Sequence, residues 1–148
     1  EEGSLMMDQG GKLGMKQACG GGDGWGTGPV VDVAGPEALN NTYYIDHVAA
    51  DDPSLANFVE AYKKEYGTEP DSFAILGYDA AKMLLTAIKN AGSTDGEAIR
   101  QALENLTDFE ALSGKISVDP KTHNPKKSAT ILKFENGEKK FMQKVDPK

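Results

Sequence analysis

The sequence predicts an α/β fold, and three observations lead to that class. Apolar residues recur at helical spacing through the middle of the chain, between a capping signal at Asp52 and a terminating Gly92. Residues with high β-propensity concentrate before and after this helical region. Near the end, Asn136-Gly137 separates two strand-like runs, which is the strongest short-range signal of a β-hairpin. Strands that alternate with helices are typical of α/β domains.

Three helices are predicted in the middle of the chain. The first has Asp52 as its N-cap and ends at Gly67. The second follows Pro70-Asp71-Ser72 and ends at Gly92, and the third opens with the capping-box pattern Thr94-Asp95-Gly96-Glu97. The apolar stripes of the three helices are, in order, Leu55, Phe58, Val59, Tyr62 and Tyr66, whose aromatic residues we expect in the core; then Phe73, Leu76, Ala80, Met83, Leu84, Ala87 and Ile88; then Ile99, Leu103 and Leu106.

Strands are predicted on both sides of these helices. Residues 42–48 are rich in β-branched and aromatic side chains, and residues 115–118 form a second, short strand. Residues 129–134 and 139–145 flank the hairpin turn. Earlier in the chain, residues 5–13 have the pattern of the end of a helix.

Composition excludes several classes of function. The chain has 148 residues, the size of one ordinary domain, and a net charge of −7, which argues against binding nucleic acid or anionic lipid. Cys19 is the single cysteine, so neither an internal disulfide nor a cysteine-based zinc site can form. No apolar run approaches the roughly 20 residues of a membrane span. The first residues lack the pattern of a signal peptide, so we expect any export signal to have been removed or to lie upstream.

The glycine-rich run of residues 20–26 is the one motif that suggests a ligand. It has neither the Gly-x-Gly-x-x-Gly spacing nor the Walker pattern, and its acid, Asp23, would repel a phosphate. A carboxylate among glycines suits a cation such as a ligand's ammonium group, because glycines allow close approach and the acid accepts a charge-assisted hydrogen bond. The alternative is a plain turn in which Asp23 caps the next segment.

No arrangement of residues predicts catalysis or a metal site. His47 and His123 are far apart and have no metal-ligand spacing, so we expect surface positions. Cys19 is expected to be a buried small apolar residue. Phe73, in the first turn of its helix, can face either the core or a cleft. These observations favour a binding protein over an enzyme.

Several stretches together resemble the leucine/isoleucine/valine-binding proteins, the type I periplasmic binding proteins of ABC importers. They occur in the family's order and cover almost the whole chain. The matching segments are Lys12-Leu13-Gly14-Met15-Lys16, Gly21-Gly22-Asp23-Gly24-Trp25, Asp51-Asp52-Pro53, Phe58-Val59-Glu60-Ala61-Tyr62-Lys63, Tyr66-Gly67-Thr68-Glu69-Pro70, Gly77-Tyr78-Asp79-Ala80-Ala81-Lys82, Ala91-Gly92-Ser93-Thr94-Asp95 and Asp108-Phe109-Glu110-Ala111-Leu112-Ser113-Gly114-Lys115-Ile116. The departures are Gly10-Gly11 and Cys19-Gly20, where relatives usually have helix formers and apolar strand residues.

The resemblance implies a fold of two Rossmann-like α/β lobes joined by three crossovers, of which only the C-terminal portion is present. Residues 1–47 would form part of the second lobe and residues 48–118 part of the first. Residues 119–148 would be C-terminal strands that return to the second lobe. Family members are more than twice as long, so we expect the missing N-terminal half as a partner, either as a second chain, in a swapped dimer or in a longer protein.

The resemblance also implies a function. The protein would be the extracytoplasmic solute-binding component of an ABC importer, in the periplasm or on the outer face of the bacterial membrane. It would bind an amino acid, branched-chain or similar, between its lobes and deliver it to the membrane permease without a cofactor. Asp23 would contact the ligand's ammonium group, and Phe73 and Trp25 would line its apolar part. The alternative is a ligand-sensing or structural α/β module of the same fold.

Overall fold

Helices and strands alternate through residues 2–26 and 29–147, the part of the chain that the computed structural model describes. The helices are α1 (Glu2–Lys12), α2 (Val30–Ala34), α3 (Pro36–Leu39), α4 (Ala56–Tyr66), α5 (Ser72–Ala91) and α6 (Gly96–Glu104). The strands are β1 (Cys19–Gly21), β2 (Thr42–Asp46), β3 (Phe109–Ala111), β4 (Gly114–Val118), β5 (Pro125–Lys126), β6 (Ala129–Glu135) and β7 (Glu138–Val145). Two 3-10 turns span Asp23–Trp25 and Pro53–Leu55. The predicted α/β class is therefore confirmed.

The chain divides into two compact units. Unit 1 comprises Glu1–Ser72 and Ala129–Val145, and unit 2 comprises Phe73–Ser128 and Asp146–Lys148. Unit 1 contains a sheet in the order β1-β2-β6-β7, in which β1 and β2 are parallel and the other pairs are antiparallel. Unit 2 contains the antiparallel sheet β3-β4-β5. The lobe boundaries predicted after residues 47 and 118 stay a prediction.

The core of unit 1 forms where α1, α2 and α3 cover one face of the sheet. Tyr44 and Phe134, on neighbouring strands, stack with ring centroids 5.2 Å apart, and both are almost completely buried. Strand β6 alternates half-buried with buried side chains, as a strand with one covered face should. The buried core residues of this unit are Met7, Val30, Ala34, Leu39, Tyr44, Ala49, Leu132 and Phe134.

The predicted hairpin turn and the helix end at Gly67 are confirmed, whereas Asp52 caps the 3-10 turn Pro53–Leu55 that precedes α4 and not α4 itself. Asn136 and Gly137 both have positive φ, 52° and 84°, as the predicted hairpin turn requires. Gly67 ends α4 in the left-handed conformation, and the Asp52 carboxylate accepts a hydrogen bond from the Ser54 N–H at 2.9 Å. The third predicted helix, α6, starts one residue later than the capping-box pattern implies. Its N-cap is Asp95, whose carboxylate accepts the Ala98 N–H at 3.0 Å, and the Glu97 carboxylate binds Arg100 and Gln101.

The acid pair Asp51-Asp52 holds the outer strand of the sheet in unit 1. The Asp51 carboxylate accepts the Phe141 N–H at 2.9 Å, and Asp52 forms an ion pair with Lys144 at 2.6 Å. Burial raises the pKa of Asp52, but the hydrogen bonds from Lys144 and Ser54 and the charge of Lys144 outweigh it, so the net shift of the pKa is downward. The Asp-Asp-Pro segment thus has a structural role in this unit.

The predicted apolar faces of α4 and α5 are partly wrong. Helix α4 buries none of its residues. Tyr66 is exposed, although its ring centroid lies 4.5 Å from that of Tyr62. Helix α5 buries Ile75, Asp79 and Ala87, whereas Phe73 and Leu84 are exposed. Apolar residues cover most of the circumference of α5, so spacing alone does not determine which face is buried.

Unit 2 has an internal anchor at the buried Asp79. Its carboxylate accepts the N–H of Leu112 at 2.6 Å and the N–H of Ser113 at 2.9 Å, at the turn between β3 and β4. Lys127 donates to the Ser113 hydroxyl at 2.7 Å. A buried carboxylate needs such partners, so the Gly-Tyr-Asp segment of α5 fixes this turn.

Among the described helices, none combines the length and apolarity needed to cross a membrane.

Candidate ligand-binding site

Two parallel strands of unit 1 bring two ionisable side chains to one edge of the sheet. Strands β1 and β2 pair with Gly21 opposite Tyr44. Asp23 comes two residues after β1, and His47 directly follows β2. Open α/β sheets bind ligands outside the carboxyl ends of their parallel strands. We define the candidate site as Asp23, His47 and the 3-10 turn Asp23–Trp25, which lie at this edge.

Asp23 is oriented towards His47 rather than used as a cap. His47 Nε2 lies 3.5 Å from Asp23 Oδ2, and the two side chains are 52% and 67% exposed. Asp23 opens the 3-10 turn after Gly22, and neither this turn nor the next helix, α2, has a side-chain cap hydrogen bond, so Asp23 caps neither of them. The carboxylate therefore remains accessible to a cation from solvent.

Trp25 fixes the turn to the core of unit 1, and two glycines make room for its ring. A Cβ atom on Gly21 would lie 2.6 Å from the indole ring, and one on Gly3 would lie 2.6 Å from its Nε1. The half-buried ring packs against the core, with its centroid 6.4 Å from that of Phe134. At Gly21, the glycine-rich run therefore serves to accommodate an aromatic side chain and not a phosphate.

Gly26 fixes the other end of the turn. Its α-carbon packs so closely against β2 that a Cβ atom would lie 1.9 Å from Asp46 Oδ2. Lys139, from β7, donates to the Gly26 carbonyl at 2.7 Å. The Asp46 carboxylate also accepts a hydrogen bond from the His47 backbone N–H, with 2.6 Å between the nitrogen and Oδ1. Asp46 thus lies against Gly26 at the end of the turn and holds the backbone N–H of His47.

Burial dominates the electrostatics beneath the turn. It raises the pKa of Asp46, and the nearby Asp23 charge adds to this, while hydrogen bonds from His47 and Ser72 oppose it. Burial also lowers the pKa of Lys139, against the opposing charges of Asp46 and Asp71. Both shifts favour the neutral forms, which indicates a less polar environment than the one around the exposed Asp23.

A cavity of about 510 Å³ in unit 1 adjoins Gly26. Its lining includes Tyr44, Asp46, Ser72 and Lys139. The volume suits a small ligand. Its central ionisable groups, however, are already engaged with Gly26, His47 and Ser72, so the exposed Asp23 remains the candidate for binding a cation.

Phe73 belongs to unit 2, so the structure does not place it in the site built from unit 1. Its side chain is 66% exposed in the first turn of α5. Phe73 is therefore not part of the buried core of unit 2. The assignments of Asp23, Phe73 and Trp25 as ligand contacts stay predictions.

The sequence did not indicate how Asp46, His47 and Lys139 support the site. His47 has the surface position that was predicted, but its proximity to Asp23 depends on the pairing of β1 with β2. Its place directly after a predicted strand was the one available signal. Lys139 had none, because its bond to Gly26 joins residues 113 positions apart. Cys19, expected to be buried, is half-buried against the core of unit 1.

Comparison with known proteins identifies the family. The sequence model of the family described as "Periplasmic binding protein" matches residues 4–139. The chain belongs to the periplasmic binding protein family. Among curated members, Leu/Ile/Val-binding protein homolog 7 of Brucella abortus (strain 2308) is 30% identical over 147 residues, which cover 90% of this chain and 36% of that protein. Leu/Ile/Val-binding protein homolog 1 of Brucella suis biovar 1 (strain 1330) is 28% identical over 138 residues, which cover 92% of this chain and 36% of that protein.

Solved structures of periplasmic binding proteins confirm the fold. The leucine-binding protein LivK of Thermotoga maritima MSB8 has a TM-score of 0.86 at 34% identity, over 99% of this chain and 42% of that one. The branched-chain amino acid binding protein LivJ of Streptococcus pneumoniae, solved with isoleucine, has a TM-score of 0.86 at 29% identity, with the same coverage. The type I periplasmic-binding-protein fold and the resemblance to branched-chain amino acid binding proteins are therefore confirmed.

The chain spans about two fifths of the length of these relatives. The relatives are named as binding proteins and not as enzymes, in agreement with the prediction from sequence. The activity of a whole protein containing this chain is therefore a matter for proposal.

Proposed function

We propose that this chain is part of the extracytoplasmic solute-binding component of an ABC importer, which binds an amino acid between two lobes and delivers it to the membrane permease. The observation that carries the proposal is the exposed Asp23 carboxylate at the carboxyl edge of β1 and β2, in a member of the periplasmic binding protein family. LivK and LivJ, named for leucine and branched-chain amino acids, support a ligand of this class.

In this proposal, Asp23 neutralises the ammonium group of the ligand. A charge-assisted hydrogen bond to a carboxylate is stronger when the site excludes water. Enclosure between two lobes supplies that exclusion, and a ligand that bridges both lobes favours the closed form by its higher affinity for that form. The permease then receives the solute from the closed protein. Localisation outside the cytoplasm is part of the same proposal.

Trp25 and Phe73 have different parts in this proposal. The buried part of the indole ring anchors the turn that carries Asp23, and its exposed part lines the site. Phe73 presents an exposed aromatic ring, which suits contact with the apolar side chain of an amino acid. Both are proposed as walls of the site, and neither is proposed as a charged contact.

A thermal-shift screen tests the proposed function. The sample is the whole binding protein, meaning this chain together with the remainder that its longer relatives have. We expect at least one of leucine, isoleucine, valine, alanine or glutamate to raise the melting temperature in a concentration-dependent way, because a ligand that binds the folded form stabilises it. A complete lack of response to amino acids would contradict the proposal and favour a structural module.

The chain alone provides a comparison sample for the same screen. It contributes one exposed carboxylate to the ammonium group, and exposed ion pairs contribute only about 0–1 kcal/mol. We therefore expect no measurable shift from residues 1–148 without the complementary N-terminal part, supplied as a second chain, in a swapped dimer or in the longer protein. A monomer of this chain that binds an amino acid at micromolar affinity would contradict this requirement.

Phe73→Ala in the whole binding protein tests the apolar wall. The ring is 66% exposed in this chain, so its removal leaves the packing within unit 2 unchanged, and we expect the main effect to be on ligand preference. If the ring contacts the ligand, affinity for leucine should fall more than affinity for glycine. Isothermal titration with both amino acids measures this ratio, with the exposed Leu84→Ala as the matched control on the same helix. Equal effects on leucine and glycine would remove Phe73 from the site.

A further inference from the structure

His47 is placed to regulate the charge at the candidate site. Its Nε2 lies 3.5 Å from Asp23 Oδ2, and its backbone N–H is fixed by the buried Asp46 carboxylate at 2.6 Å. The hydrogen bond from the His47 N–H to Asp46 and the parallel pairing of β1 with β2 therefore place the imidazole ring beside Asp23. Both side chains are more than half exposed, so a ligand that reaches Asp23 also meets the imidazole.

We propose that His47 makes amino-acid binding at Asp23 dependent on pH, so that affinity falls when the imidazole is protonated. The inference rests on the proposed function, since it concerns the same carboxylate and the same ammonium group. Histidine is the side chain whose charge ordinarily changes between about pH 5 and 8. The ammonium group of an amino acid remains charged throughout that range.

The direction of the effect follows from the charges. A protonated His47 is a cation within ion-pair distance of Asp23, so it competes for the carboxylate that the ammonium group needs and repels the ammonium group itself. A neutral imidazole does neither. Asp23 keeps a second oxygen, Oδ1, with which to accept from the ligand. Binding should therefore weaken as pH falls.

The other charged groups near His47 do not reproduce this effect. Asp46 interacts with His47 by charge and through its backbone, and behind Asp46 lie Lys139 and Asp71. If Asp46 carried the pH dependence, replacing His47 would leave it intact. The second histidine, His123, lies in unit 2 with its Nε2 2.9 Å from Glu104 Oε1, so it provides a matched control.

The experiment is isothermal titration of the whole binding protein at pH 5.5 and pH 8, with leucine, isoleucine, valine, alanine and glutamate as probes. For the wild type, we expect affinity about 3- to 10-fold weaker at pH 5.5 for whichever probes bind, since tenfold is about the limit for competition by one histidine over this pH range. His47→Gln should bring the ratio of the two affinities close to one, whereas His123→Gln should keep the wild-type ratio.

Each other outcome is decisive. A wild type with equal affinity at both pH values overturns the inference, and so does a His47→Gln variant that keeps the wild-type ratio; in both cases the proposed function stands. A His123→Gln variant that also loses the pH dependence shows that the effect does not belong to the Asp23–His47 pair and overturns the inference. If no probe binds at either pH, the proposed function fails, and the inference fails with it.

Discussion

Replacing Asp23 by asparagine in the whole binding protein is expected to weaken amino-acid binding by about 30-fold to several thousand-fold. The change keeps the size of the side chain and removes its charge, so an enclosed ammonium group loses its counter-ion. Truncating one partner of a buried, hydrogen-bonded charge pair costs about 2–5 kcal/mol, which gives this range of affinities. In the free protein, the side chain is 67% exposed, so we expect little effect on folding.

Isothermal titration with leucine and alanine measures the effect, and Asp32→Asn is the matched control. Asp32 is an exposed acid on α2 of the same unit, so its replacement makes the same change in net charge. If the two variants weaken binding equally, general electrostatic attraction and not a specific contact accounts for the loss. An Asp23→Asn variant with affinity within a factor of two of the wild type would remove Asp23 from the site.

The parts of the fold that were predictable from sequence are those governed by local backbone chemistry. The Asn136-Gly137 turn, the Gly67 helix end and the cap at Asp52 each follow from the residue's own conformational preference or its nearest neighbours. The short helices α2 and α3 were not predicted. Each has at most five residues, too few to show a helical period.

The buried face of α5 and the reason for the glycine-rich run were not predictable, because both depend on contacts between distant segments. Asp79 is buried because it binds a turn 33 and 34 residues away, which no helical pattern reveals. Gly21 lies against Trp25 near in sequence, but Gly3 reaches the same ring from α1. Sequence periodicity reports on one element at a time, and these roles appear only when elements pack together.

In the candidate site, too, the sequence indicated the residue itself but not the distant residues that hold it in place. Asp23 was selected by residue type and by resemblance, and the structure gives it an accessible position at the sheet edge. Its supports were not foreseen, because Asp46 and Lys139 come from other strands. A carboxylate that binds a ligand must be held by residues that fix its geometry, and these residues are the more demanding part of the site.

Gly26→Ala in the whole binding protein is expected to weaken amino-acid binding at least about tenfold, although Gly26 has no contact with the ligand in the proposal. Its φ of −70° and ψ of −18° suit alanine, so the effect is steric and not conformational. The added methyl carbon would lie 1.9 Å from Asp46 Oδ2. Asp46 is buried and holds the His47 N–H, so it has little freedom to move away. The turn must shift instead, and the shift displaces Asp23 from its position at the sheet edge.

The size of this effect follows from two losses. Overpacking of a well-packed site costs typically about 1–3 kcal/mol of stability, and the shifted turn also strains the bond from Lys139 to the Gly26 carbonyl. A misdirected charge-assisted hydrogen bond to the ligand forfeits much of the about 1.5–3 kcal/mol that such a bond contributes, which corresponds to tenfold or more in affinity. Chemical denaturation and isothermal titration measure the two losses separately.

Gly24→Ala is the matched control, because Gly24 lies in the same 3-10 turn and a Cβ atom there would meet no other atom within 4 Å. Both variants add one methyl group within three residues of Asp23, and they differ only in whether that group has space. We expect Gly24→Ala to keep wild-type stability and to bind the amino acid within about twofold of the wild type. Equal stability and equal affinity in the two variants would show that the packing of Gly26 on Asp46 does not position Asp23. If Gly26→Ala alone loses affinity, the buried carboxylate beneath the turn is part of the binding apparatus, although it never touches the ligand.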